Sequence, residues 1–176
     1  MNPYKPQQAH RSQGIATVTS TSAPITKVGA TSSANTTFTT TRVTDASAWT
    51  VTAVADGDIA KTSDGHRGVI VSTGSNLVNV DSWRDNAGNA KTPAAGSTVT
   101  IHRLGYVKKL LLKADADNAA PLYISQKGTA VNTDFRLHEG EQMTLESDDP
   151  AGVDVTLVEA LSGGSLTLCW IQGGSA

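Results

Sequence analysis

Three oxygen-bearing side chains lie close together in the run Lys113–Asn118, at Asp115, Asp117 and Asn118. Carboxylate and amide oxygens are the ligands that calcium prefers in proteins. The run lacks the glycine and the closing glutamate of a helix-loop-helix calcium site. Because Asp and Asn side chains also bond to the nearby backbone in turns, we expect a solvated turn between two strands. These three residues are the only metal candidates, and we predict no resident metal or cofactor.

Nucleophilic catalysis would need a serine or cysteine beside a base, with a third group that orients the base. The single cysteine, Cys169, lies in the apolar run Leu166–Ile171, where a small buried side chain is the ordinary expectation. The chain has no nucleophile elbow, no HExxH helix, no phosphate-binding P-loop and no CxxC pair. No two carboxylates can be assigned to acid–base work. We therefore predict no catalytic residues and no enzymatic activity.

Basic residues cluster only at Lys108, Lys109 and Lys113. Neighbouring residues of a strand point to opposite faces, so Lys108 and Lys109 cannot share a surface. With 14 basic and 16 acidic residues the formal net charge is −2. A surface that grips nucleic acid or an anionic membrane needs an excess of positive charge. We expect neither partner.

Aromatic residues are scattered singly along the chain. Core filling explains Trp49 and Trp170 better than a stacking platform does, because tryptophan buries a large apolar area. Trp83, beside Arg84 at the end of a predicted strand, is the candidate for an interface anchor.

Composition limits the possible classes further. Charged residues make up 17% of the 176 residues, against about 25% in an average soluble domain, and 23 threonines with 16 serines supply polar surface instead. One cysteine excludes an internal disulfide. The apolar runs are too short to span a bilayer, and the polar start lacks the apolar stretch of a secretory signal. We expect synthesis in a cytosol-like compartment.

From Thr36 onward the chain reads as short strands separated by turn residues, with little or no long helix. Strand centres lie about 8 to 12 residues apart, which is typical of small antiparallel sandwiches and barrels. The predicted strands are Thr36–Val43, Trp49–Val54, Val69–Val71, Leu77–Trp83, Thr98–Ile101, Leu110–Leu112, Leu122–Ile124, Phe135–Leu137, Met143–Leu145, Val153–Val158 and Leu166–Ile171.

Three segments follow from this pattern. Residues 1–24 carry three prolines and a Ser/Thr tract, which predicts an extended N-terminal arm that cannot fold by itself. Residues 25–104 are expected to form a small antiparallel β-barrel module. A joint at Gly105 leads into residues 105–176, expected to form a jelly-roll-like β-sandwich module. The predicted fold class is all-β.

Two groups of segments resemble parts of tailed-bacteriophage virions, and together they span about half of the chain. The first resembles a small β-barrel module of virion proteins, and its segments are Gly57–Thr62, Gly65–Ile70, Val80–Arg84 and Thr92–Val99. The second is similar to the sandwich domains of capsid decoration and neck proteins, and its segments are Lys109–Asp115, Pro121–Ser125 and Phe135–Glu141.

The resemblance implies a structural virion protein of the capsid decoration, or cement, type. Such a protein is made in the host cytoplasm, binds the major capsid protein on the outside of the shell, clamps neighbouring coat subunits and often forms a homotrimer. We expect the arm to lie along the shell, which places Tyr4 with Trp83 and Arg84 among the interface residues. Many weak contacts across several subunits would then add through effective concentration.

Other functions stay open at this point. The same modules fit a head-to-tail connector or a tail or fibre attachment protein. A carbohydrate- or receptor-binding module of the virion is a second class, in which Trp83, Tyr106 or Tyr123 would stack on a sugar. A hydrolase of cell-surface polymer ranks lowest, because no acid pair can be named.

Overall fold

A computed structural model describes residues 11–51, 58–148, 152–164 and 167–174. Within these ranges the regular secondary structure is almost entirely strand, and every paired strand runs antiparallel. A single three-residue 3-10 turn, Val155–Leu157, is the only helical element there. The all-β prediction is confirmed.

The chain forms two compact units. We call them the terminal unit, Met1–Thr26 with Leu104–Ala176, and the central unit, Lys27–Arg103. The central unit is therefore inserted in the sequence between two parts of the terminal unit. The predicted boundaries near residues 24 and 104 lie within two residues of the observed ones.

The predicted arm is not a separate segment in its described part. Arg11–Val18 forms a strand that pairs with the last strand of the chain, and Ala23–Pro24 pairs with Ala160 and Glu159. The physical reason is long-range pairing, because a hydroxyl-rich strand that is unstable alone becomes stable when a distant strand satisfies its backbone. Residues 1–10 lie outside the described part.

The terminal unit has two four-stranded sheets and one two-stranded ladder. The sheets have the orders β1-β17-β11-β14 and β13-β12-β16-β2, and the ladder joins β10 to β15. Their strands are β1 (Arg11–Val18), β2 (Ala23–Pro24), β10 (Tyr106–Val107), β11 (Lys109–Ala114), β12 (Leu122–Ser125), β13 (Phe135–Leu137), β14 (Gln142–Glu146), β15 (Val153–Asp154), β16 (Glu159–Ser162) and β17 (Thr167–Gly174).

Side chains from both four-stranded sheets enter one apolar core. Leu110 and Leu112 of β11 are buried, while Leu111 between them is half-buried and the flanking lysines are exposed. They share the core with Ile171 of β17 and with Leu122 and Ile124 of the other sheet. The period of two along a strand therefore sets which of these side chains enter the core.

The central unit is one seven-stranded sheet in the order β3-β9-β6-β7-β8-β5-β4. Near the start of β4, Thr36 O accepts from the Gly96 N–H and Thr36 Oγ1 donates to Ser97 O, so the sheet curls back toward β9. The strands are β3 (Lys27–Val28), β4 (Thr36–Thr39), β5 (Arg42–Asp45), β6 (Ile59–Thr62), β7 (Arg67–Gly74), β8 (Leu77–Val80) and β9 (Val99–His102).

Several predicted strands were wrong in extent. Thr36–Val43 is a hairpin, because β4 and β5 pair across a turn at Thr40 and Thr41. Trp49–Val51 is not a strand, since the Trp49 N–H donates to Asn76 Oδ1 rather than to a ladder, and residues 52–54 lie outside the described part. The strand predicted at Leu77–Trp83 ends at Val80. Half of Val153–Val158 is a 3-10 turn, which Asp154 caps by accepting from the Thr156 N–H.

Candidate functional site

The metal candidates form a tight turn between β11 and β12. Asp115 Oδ1 accepts from the Asp117 N–H at 2.9 Å, and Asp115 O accepts from the Asn118 N–H at 3.3 Å. The Asn118 amide bonds to both backbone groups of Leu168, at 2.9 and 2.8 Å. The side chains thus hold the turn against β17, as the turn interpretation predicts. Among the described residues no three His, Cys, Asp or Glu side chains converge as a metal site would require.

Cys169 occupies the inner face of β17 and is fully buried in the terminal core. Burial in apolar surroundings raises the pKa of its thiol to about 12, against a smaller opposing effect of a backbone hydrogen bond. A thiol of that pKa stays protonated at neutral pH and is a poor nucleophile. The structural interpretation of Cys169 is confirmed.

Trp83 does not lie at the surface, so its predicted role as an interface anchor was wrong. Only 1% of the residue is exposed, and its ring meets Phe38 edge to face with centroids 5.4 Å apart. The physical reason is the value of burying a large ring in a small core. The same burial prevents Trp83 from stacking on a sugar, while Tyr123 is half-buried on β12.

Arg84, the second predicted interface residue, is exposed beside a rigid loop. Its backbone exchanges two hydrogen bonds with Arg67, both of 2.8 Å, and its guanidinium donates to Gly88 O. Asp85 accepts from the N–H groups of Ala87 and Asn89 in that loop. These bonds, the one from Asn89 first, hold the pKa of the Asp85 carboxyl below its usual value. The interface role of Arg84 stays a prediction, and hydrogen bonds hold the backbone on which it lies.

The other predictions about aromatic residues have different outcomes. Tyr4 and the side chains of Tyr106 and Trp170 lie outside the described part. Trp49 is buried in the central core, where its Nε1 donates to Ala30 O at 2.9 Å. The core assignment of Trp49 is confirmed.

A buried carboxylate that sequence reasoning missed is Asp45, at the end of β5. It accepts from the N–H and hydroxyl of Ser33 at 2.7 and 2.6 Å and from the Ser47 N–H at 2.9 Å. Burial acts to raise the pKa of Asp45, but these hydrogen bonds outweigh it and the pKa is lowered. Asp45-Ala46-Ser47 has the local spacing of an Asx turn, which is the available sequence signal. Its partner Ser33 cannot be inferred from spacing.

Asp64 is a second carboxylate of the central unit that fixes a loop. Thr62 Oγ1 and the Ala94 N–H donate to it, and Nδ1 of the buried His66 lies 3.2 Å from its Oδ1. Partial burial acts to raise the pKa of Asp64, yet the three contacts lower it to about 2. Asp64 thus joins the hairpin between β6 and β7 to the loop before β9.

Several large apolar side chains are exposed on the two units. On the terminal unit, Ile15 of β1 is 46% exposed and Leu168 of β17 is 38% exposed. The Cα register places Thr17 opposite Leu168 and Ile15 two pairs further along, so Ile15 and Leu168 both lie on the outer face of that sheet. On the central unit, Val69 and Val71 share the outer face of β7. These surfaces can contact other molecules.

The hydrogen bonds described above use Asp45, Asp64, Asp85 and Asp115 to fix turns and loops. In the described part no helix has the length and apolar character needed to cross a bilayer. Comparison of the chain with protein-family models, curated proteins and solved structures gave no match.

Proposed function

We propose that this chain is a non-catalytic structural protein of a phage virion that binds the outside of the capsid and stabilises the shell. The observation that carries the proposal is that four aspartate side chains form hydrogen bonds to the protein's own backbone. Asp45, Asp64, Asp85 and Asp115 each bond to the backbone of their own unit. Side chains committed in this way rigidify a surface, which suits assembly better than turnover.

The composition supports the same proposal. A hydroxyl-rich, charge-poor surface loses little solvation when many copies of a protein pack closely. Exposed Ile15, Leu168, Val69 and Val71 supply apolar contact area on both units. We therefore propose that coat subunits are contacted by the faces of the folded units, with Arg84 at one such contact.

The role proposed for the first 24 residues changes with the structure. Since β1 and β2 belong to the terminal unit, deleting residues 1–24 would remove two strands as well as any shell contact. Deleting residues 1–10 leaves both strands in place. The short deletion therefore tests shell binding, and the long one tests folding.

The decisive experiment is a particle reconstruction with copies counted, together with binding of the purified full chain to preformed shells. Many copies over the whole shell would support decoration. A few copies at one vertex would favour a head-to-tail connector or a tail or fibre attachment protein. Absence from the particle, or no binding to shells, would contradict the proposal.

A matched pair of variants sharpens the binding test. Arg84→Ala removes an exposed cation from the proposed contact, and Arg42→Ala removes an exposed cation that bonds to Asn79 on the paired strands β5 and β8 of the same unit. We expect weaker shell binding only for Arg84→Ala. Equal binding by both variants would remove Arg84 from the contact.

A further inference from the structure

The strand β1 forms one edge of a four-stranded sheet. Its eight residues make it the longest edge strand in the described part, where β14 has five residues, β4 has four, and β13, β2 and β3 have three or fewer. Edge strands are usually short, charged or covered, because their free backbone groups attract other strands. From Ser12 to Val18 this strand carries no charge. Its usual protection is limited to its first residues, where Arg11 is charged and the register shifts between Ser12 and Gly14.

Hydrogen bonds in the neighbouring strand show which backbone groups of β1 point outward. The Leu168 N–H donates to Asn118 and Leu168 O accepts from the Asp115 N–H, so the backbone of Leu168 faces away from β1. Backbone direction alternates along a strand. Thr167 and Cys169 therefore face β1, where Val18 and Ala16 lie opposite them.

It follows that the N–H and C=O of Ile15 and Thr17 point to the outer side of β1. Beyond the end of β1, Thr19 O accepts from the Ser162 N–H of β16. No described strand pairs with β1 along this side. Four backbone groups at alternate residues thus form a template for one more extended strand.

We propose that this edge binds β1 of a second copy of the chain in antiparallel orientation. A two-fold axis through Ala16 sets Ile15 opposite Thr17 of the partner subunit, and Thr17 opposite the partner's Ile15. The four outward groups of each copy then form four hydrogen bonds between the copies.

The chemistry of the strand identifies a second copy as the occupant. A two-fold interface brings identical surfaces together, so like charges near the axis would repel. The uncharged run from Ser12 to Val18 avoids that repulsion. Pairing also covers part of the exposed Ile15, beside Leu168, on the outer face of the extended sheet. β14 is less suited, because Glu146 at its end is charged and bonds to Lys109.

The first test compares the mass of the full chain in solution with that of two variants, by analytical ultracentrifugation over a dilution series. Ile15→Lys places a charge at the pairing edge, and Thr144→Lys places the same charge on β14 at the opposite edge of the sheet. We expect a wild-type dimer, at least about tenfold weaker association for Ile15→Lys, and an unchanged dimer for Thr144→Lys.

A second test does not require that β1 still folds with a lysine at position 15. Opposed residues of a non-hydrogen-bonded pair lie close enough for a disulfide, so Ala16→Cys should yield covalent dimers under oxidised glutathione. Thr144→Cys is the matched control. Buried Cys169 stays out of the reaction while the terminal unit is folded.

Three results would overturn the proposal: a monomer at every concentration, a dimer that neither Ile15→Lys nor Ala16→Cys affects, or a trimer. A trimer contradicts it because a two-fold axis closes with two copies. The inference is independent of capsid binding. A monomer that still binds shells would contradict the pairing of β1 strands and support the proposed function. A dimer that binds no shells would support the pairing and contradict the proposed function.

Discussion

The terminal unit buries aliphatic side chains between two sheets, whereas the central unit combines a smaller apolar core with more buried polar groups. Among the described residues, 16 buried hydrophobic residues form the terminal core and nine form the central one. The buried polar groups of the terminal unit are hydroxyls, while the central unit also buries Asp45, Asp58, His66 and His102. The lowered pKa values of Asp45 and Asp64 tie the stability of the central unit to pH, and apolar packing does not depend on pH in this way. The two units should therefore fail under different conditions.

The largest expected effect is the loss of one core side chain in each unit. Trp83→Ala removes the largest fully buried side chain of the central core, and Leu112→Ala opens the terminal one. Each should cost its own unit roughly 3 to 5 kcal/mol. Hydrogen exchange resolved along the sequence should show protection lost in the mutated unit only, and Cys169 should become reactive only with Leu112→Ala. Loss of protection in both units together would show that they unfold as one.

A smaller effect is expected where the terminal unit brings two backbone segments together. Gly152 has φ +81°, and a Cβ there would lie 2.6 Å from Val107 O. Gly88, in a loop of the central unit, has φ +85° with open space around it. Gly152→Ala should cost roughly 2 to 3 kcal/mol and Gly88→Ala about 1 kcal/mol, because both strain φ but only the first also clashes. Equal losses in urea unfolding would contradict the clash.

Acid should destabilise the central unit first. The folded pKa of Asp64 is about 2 and its ordinary value is 3.8, so its contribution is full above pH 3.8 and is lost as pH falls toward 2. After allowance for its partial exposure the contribution is about 1 to 2 kcal/mol, and Asp45 adds in the same direction.

The measurement is the free energy of unfolding of each unit between pH 5 and pH 2. Asp64→Asn should reduce the fall in the free energy of unfolding of the central unit between pH 5 and pH 2. Asp117→Asn, at an exposed turn of the terminal unit, should leave that fall unchanged. A terminal unit that unfolds first in acid would refute the contrast.

The smallest effect is expected at the ion pair between Lys109 Nζ and Glu146 Oε1, which are 2.6 Å apart on the terminal unit. Both side chains are about 60% exposed, so solvent screens the pair. Lys109→Ala should change the free energy of unfolding by no more than about 0.5 kcal/mol in urea titration. A loss as large as that from Leu112→Ala would mean that charge, and not apolar packing, stabilises this sheet.

Local patterns predicted much of the fold and part of the candidate site. Short apolar runs spaced by turn residues predicted strands at Leu110–Leu112 and Leu122–Ile124, and residue type predicted the turn at Asp115 and the burial of Cys169 and Trp49. Each of these depends on contacts between near neighbours or on the side chain itself.

Features that depend on distant residues could not be predicted from such local patterns. The alternation across Thr36–Val43 fits one strand as well as a hairpin, and the composition of residues 11–24 fits an arm as well as an edge strand. The choice depends on which distant backbone is available to pair. Trp83 was misplaced for the same reason, since Phe38, which covers it, lies 45 positions away in the sequence.

By itself the sequence determined the all-β class and the near-neutral charge. Composition and a period of two are properties of neighbouring residues, so they can be recognised without knowing which distant strands will pair. Only the tertiary structure decided that β1 returns to β17, that Trp83 is buried and that Asp45 caps a loop. Those outcomes depend on contacts between residues far apart in the chain, which give no periodic signal in the sequence.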